Sequence, residues 1–113
     1  MTRAEIANMI SAMGFPFAYY QFEANPDNPP PPPPFICFYY PNDNDLIADN
    51  INYARIDALT IELYTGNKDF DTETAVESVL LSHGLAFGKT QAYINTEKMY
   101  QITYTMEVVI NAE

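Results

Sequence analysis

Residues 99–112, Met99-Tyr100-Gln101-Ile102-Thr103-Tyr104-Thr105-Met106-Glu107-Val108-Val109-Ile110-Asn111-Ala112, decide the fold. Tyr100, Ile102, Tyr104, Met106, Val108 and Ile110 fall on one side of an extended chain, and Met99, Gln101, Thr103, Thr105, Glu107, Val109 and Asn111 on the other. Side chains alternate across a strand, so this period predicts a long antiparallel strand with one dry face and one wet face. The wet face carries Thr and Gln but no nucleophile–base pair. It reads as scaffold or contact surface.

Working back along the chain, Thr2 and Glu5 have the spacing of a capping box, and Ile6, Met9, Ile10 and Met13 form one helical stripe. The first helix is expected over 3–13, stopped by Gly14 and Pro16. Aromatic strands are expected over 15–22 and 35–40. Between them lie six consecutive prolines, Pro29 to Pro34. Proline lacks an amide hydrogen, so this tract cannot join a ladder; as polyproline II it would span about 19 Å and stiffen a hairpin arm.

Residues 51–64 read as a second long strand with a bulge near Ile56, where the alternation slips. Asp69 or Asp71 can cap a second helix that carries Val76, Val79, Leu80 and His83 on one stripe and ends at Gly84. A weaker strand follows over 86–95. The expected class is α+β in the order α-β-β-β-α-β-β. One domain over 1–113 is anticipated, mainly an antiparallel sheet packed on two helices.

Composition narrows function. Fifteen acidic residues against five basic ones give a formal charge of −10. Nucleic-acid affinity comes mostly from Lys and Arg displacing counterions, so specific nucleic-acid binding is disfavoured. No apolar run reaches the roughly 18 residues of a membrane span, which suggests a soluble, cytoplasmic chain. The lone Cys37 cannot form an internal disulfide.

Chemistry-bearing constellations are sparse. His83 is expected half-buried in the last turn of its helix, and Cys37 as a small hydrophobe within a strand. Asp43, Asp45 and Asp49 lack the Gly and Glu that a calcium loop needs at its sixth and twelfth positions, which hold Ala48 and Ala54. No catalytic residues, cofactor or metal site is expected.

Nine tyrosines are many for this length, and tyrosine gives large contact area at low entropic cost. The pairs Tyr19-Tyr20 and Tyr39-Tyr40 should each send one ring to each side of the sheet.

The segment Pro33-Pro34-Phe35-Ile36-Cys37-Phe38-Tyr39-Tyr40-Pro41-Asn42, followed by Ala48-Asp49-Asn50, Ile61-Glu62-Leu63-Tyr64-Thr65, Lys68-Asp69 and Glu97-Lys98-Met99-Tyr100, resembles the tail terminator or tail completion proteins of long-tailed phages and prophages of Gram-positive bacteria. The resemblance covers nearly the whole chain in element order. It implies a non-enzymatic virion protein, assembled in the host cytoplasm as a homo-oligomeric ring, commonly a hexamer. The ring would join the tail tube protein to the head–tail connector protein. An acidic inner wall would let DNA slide past, with Asp43, Asp45 and Asp49 as candidates for a lumen-facing loop. Phe35, Tyr40 and Tyr64 are candidates for subunit packing in such a ring. Two competing readings are an acidic DNA mimic that blocks a host enzyme and a proline-bearing adaptor.

Overall fold

A computed structural model describes residues 1–23, 25–41 and 55–110. Its elements run α1 (Arg3–Ser11), β1 (Phe17–Tyr19), β2 (Phe35–Tyr39), β3 (Arg55–Thr65), α2 (Phe70–Ser82), β4 (Gly88–Ile94) and β5 (Met99–Ile110). The α+β class and the α-β-β-β-α-β-β order are as the sequence predicts. Five strands form one sheet in the order β1-β2-β3-β5-β4. Both helices pack on one face of it.

That face is the core. Ile36 and Phe38 of β2, Leu59, Ile61 and Leu63 of β3, and Ile102, Tyr104, Met106, Val108 and Ile110 of β5 meet Ile6, Met9, Ile10, Val76 and Leu80 from the helices. The residues on β5 are the dry set of the opening stretch. Burying each large apolar side chain contributes roughly 1.5–3 kcal/mol, which offsets the entropy of ordering the chain.

The helix ends follow local chemistry. Thr2 and Glu5 make the capping box in both directions. Asp69, rather than Asp71, caps α2 by accepting from the Thr72 amide and hydroxyl. Gly14 and Gly84 sit at φ of 91° and 71°, the left-handed region that ends a helix cheaply only at glycine. After α2, Leu85 N–H donates to Leu80 O and Gly84 N–H to Leu81 O, a Schellman closure that turns the chain toward β4.

Three expectations need correction. First, β1 pairs with β2 in parallel, Phe17 beside Ile36 and Tyr19 beside Phe38, so the proline-rich segment is not a hairpin. Parallel neighbours need a long crossover, and residues 20–34 supply it. Second, β1 stops at Tyr19, because Tyr20 adopts a φ of 70° that no strand continues.

Third, β3 carries no bulge among its described residues. Its ladder with β5 runs without offset from Arg55 opposite Ile110 to Thr65 opposite Tyr100. The alternation only seems to slip because Asp57 occupies a core-facing place. It is fully buried, and its Oδ2 accepts from Arg3 Nη2 at 3.4 Å.

Candidate interaction surface

Among the described residues, no helix covers the sheet's second face. Strand β5 presents Gln101, Thr103, Thr105, Glu107 and Val109 there, the last three exposed. Strands β2 and β3 present Phe35, Cys37 and Tyr39 opposite Tyr64, Glu62 and Thr60. The crossover returns across this part of the face, and between it and the strands lies a groove of about 540 Å³. Tyr20, Phe22, Pro30, Pro31 and Pro33 form one wall, with Ile94, Glu97 and Met99 at the far end.

Aromatic pairing shapes the groove. Phe35 stacks on Tyr64 with centroids 4.9 Å apart, and Phe22 meets Phe35 edge-on at 5.5 Å. Tyr20 lies 5.2 Å from Tyr39. Such offset and edge-on pairs each add roughly 0.5–1.5 kcal/mol beyond area burial.

Glu62 stands between the two aromatic groups. Its Oε1 accepts from the Tyr64 hydroxyl at 3.0 Å and its Oε2 from the Tyr39 hydroxyl at 3.3 Å. Gln101 Nε2 donates to the Tyr64 oxygen at 3.0 Å, closing a short relay across to β5. Burial, reinforced by the adjacent carboxylate, raises the phenol pKa of both Tyr39 and Tyr64, so both remain neutral donors.

Of the three candidate packing residues, Phe35 and Tyr64 therefore come together on the helix-free face. Tyr40 lies on the other side, where its ring sits 5.9 Å from Tyr19 and beneath the Arg3 guanidinium at 5.5 Å. The split of Tyr39 from Tyr40, and of Tyr19 from Tyr20, is the one the sequence predicts: Tyr19 meets Phe38 on the core side at 5.3 Å. Asp43, Asp45 and Asp49 lie outside the described residues.

Cys37 and His83 do not meet. Cys37 is buried on the groove side, where burial and then Glu62 push its thiol up, away from thiolate chemistry. His83 caps the C-terminus of α2 on the opposite side of the sheet; it is exposed rather than half-buried, its Nδ1 2.9 Å from Val79 O. Among the described residues, no three His, Cys, Asp or Glu side chains group so as to hold a metal. Nor is any described helix long and apolar enough to cross a membrane.

A charged cluster that the pattern of residues does not announce lies where α2 crosses β4. Glu73 is 1% exposed; its Oε2 accepts from Lys68 at 2.6 Å, and its Oε1 forms an ion pair with Lys89 at 2.8 Å. Lys89 also reaches Glu77 at 2.8 Å, Lys68 donates to Gln91, and the Tyr104 hydroxyl donates to Glu77 at 2.8 Å. Burial pushes the Glu73 carboxyl up, but the two ammonium groups prevail and hold it below its usual value. The only advance signal was Glu73 falling one turn before Val76 and Leu80 on the stripe. A helical period marks the inward face and does not tell a paired acid from a hydrophobe.

No protein-family model and no curated protein matches the chain. A solved structure does share its fold. It is a chain of a particle described as "Virion of native gene transfer agent (GTA) particle", with a TM-score of 0.53 and 14% identity over 94% of this chain and 86% of that one. At this identity the likeness speaks for fold alone.

Proposed function

We propose that this chain is a structural component of a phage-type virion. In the finer reading it is a tail terminator or tail completion protein, assembling as a ring, most simply a hexamer, between the tail tube and the head connector. The observation that carries the proposal is the shared fold with a chain of a virion particle across 94% of the length. A sheet whose second face lacks a helix layer among the described residues supports the same reading, because a ring needs two different contact patches on every subunit. Tyr40, near the β1 edge, stands close to one such patch, and Phe35 and Tyr64 lie on the helix-free face, open to a contact outside the subunit. The formal charge of −10 suits a channel that DNA passes without sticking. Asp43, Asp45 and Asp49 are assigned to its lumen on charge alone.

Native mass spectrometry with negative-stain imaging tests this, on the chain alone and mixed with purified tail tubes. Closed rings in solution, or rings seated at one end of the tubes, are expected. A chain that stays monomeric in both mixtures and decorates no tube end contradicts the proposal.

A further inference from the structure

We propose that the groove on the helix-free face is a receptor for an arginine side chain presented by a basic, extended segment of a partner protein. The chemistry of the lining selects this occupant. The walls are aromatic and prolyl, and the charged residues among them are Glu62 and Glu97, both acidic. An aromatic-walled groove with a carboxylate at its floor attracts a cation through the ring faces and the carboxylate together.

Glu62 favours guanidinium over ammonium. Each of its oxygens already accepts one phenol hydrogen bond, from Tyr64 and from Tyr39, which fixes the plane of the carboxylate. Each keeps further acceptor capacity, and two parallel acceptors match the guanidinium fork. The flat guanidinium can also lie against Tyr39 or Tyr64, whereas an ammonium is a compact, strongly hydrated point charge. The groove, at about 540 Å³, falls within the ~300–1,000 Å³ of clefts that hold a ligand.

The partner is another protein rather than a second copy. This chain holds five basic residues against fifteen acidic ones. Arg3, Lys68 and Lys89 are already engaged with Asp57, Glu73 and Glu77 within the subunit. A basic partner is also attracted by the chain's net charge, which would speed encounter. The proposal stands whether or not the chain is a virion protein.

The test is a ¹⁵N-detected titration with the blocked peptide acetyl-Gly-Phe-Arg-Gly-amide, against the same peptide with citrulline, the neutral isostere, in place of arginine. Amide shifts centred on Cys37, Tyr39, Glu62 and Tyr64, present with arginine and weaker by about ten-fold or more with citrulline, are expected. Glu62→Gln should lose a similar factor. Tyr20→Ala, at an exposed position whose loss leaves the core untouched, should weaken binding several-fold and guards against a folding artefact. The proposal is overturned by equal binding of both peptides, by shifts spread over the acidic surface, or by none at millimolar peptide. Self-association that Arg55→Gln or Lys98→Gln abolishes would also overturn it, by giving the groove to a second copy.

Discussion

The two faces of the sheet are built from the same strands and do different work. On the helix side, β3 and β5 offer Leu59, Ile61, Leu63, Ile102 and Tyr104, all fully buried within one subunit. On the other, the same strands offer Thr60, Glu62, Tyr64, Gln101, Thr103 and Thr105, with hydrogen bonds linking Glu62, Tyr64 and Gln101 and the Tyr64 ring stacked on Phe35. The first face is finished by its own helices. The second is only partly covered, by a crossover whose prolines cannot pair with a strand edge. Stability therefore resides on one face, and the other is left open to contacts outside the subunit.

Substitutions sharpen this contrast. The largest effect belongs to the helix face: Leu59→Ala or Ile102→Ala should cost about 2–5 kcal/mol in urea unfolding, since each leaves a cavity in a packed core. Comparable losses from Thr103→Ala or Thr105→Ala would erase the distinction between faces, because substitutions away from core features stay within about 0.5 kcal/mol.

Next comes the Glu73 cluster. Glu73→Gln should cost about 1–3 kcal/mol by weakening one charge-assisted hydrogen bond and removing an ion pair, both to partly exposed lysines. Its carboxyl is depressed below 4.5, so its contribution is complete above that pH and is lost as pH falls through the lower folded value. Wild type should therefore lose stability in acid more steeply than Glu73→Gln, as followed by thermal melts across pH 2–6.

A smaller effect is expected at Tyr104. Burial first, and the bond to Glu77 second, raise its phenol above the usual 10, so the fold favours the neutral form. That stability is present below pH 10 and drains away as pH rises beyond it; Lys89, also raised, acts in the same direction. Tyr104→Phe should cost about 1 kcal/mol at neutral pH and flatten the alkaline limb. The smallest change is Tyr64→Phe, which keeps the stack on Phe35 and removes one donor to Glu62. It should alter stability by less than about 1 kcal/mol yet loosen the orientation of the groove carboxylate, read as weaker arginine-peptide binding.

How much of this was legible beforehand follows from what each signal measures. The period of 99–110 and the stripe Ile6, Met9, Ile10 report burial directly, so element order and the dry face were readable. Direction of pairing is not written in periodicity. Two aromatic strands separated by fifteen residues suit a hairpin arm or a parallel crossover equally, and only the packed structure decides. Asp57 misled for a related reason: a carboxylate in the inward row reads as a register slip until its partner Arg3, over fifty residues away in sequence, folds against it. The groove had a partial signal in the paired tyrosines. Its carboxylate did not stand out, because Glu62 alternates with Ile61 and Leu63 as any solvent-facing residue would.

The measurement that bears most directly on this account is hydroxyl-radical footprinting of the chain, free and mixed with purified tail tubes. Peptides bearing Tyr39, Tyr64 and Met99 should become protected on assembly, while Met9 and Met106, already enclosed within the subunit, stay unreactive in both states. Protection confined to exposed positions of the helix layer such as Phe70 and Leu81, with Tyr39 and Tyr64 unchanged, would contradict it.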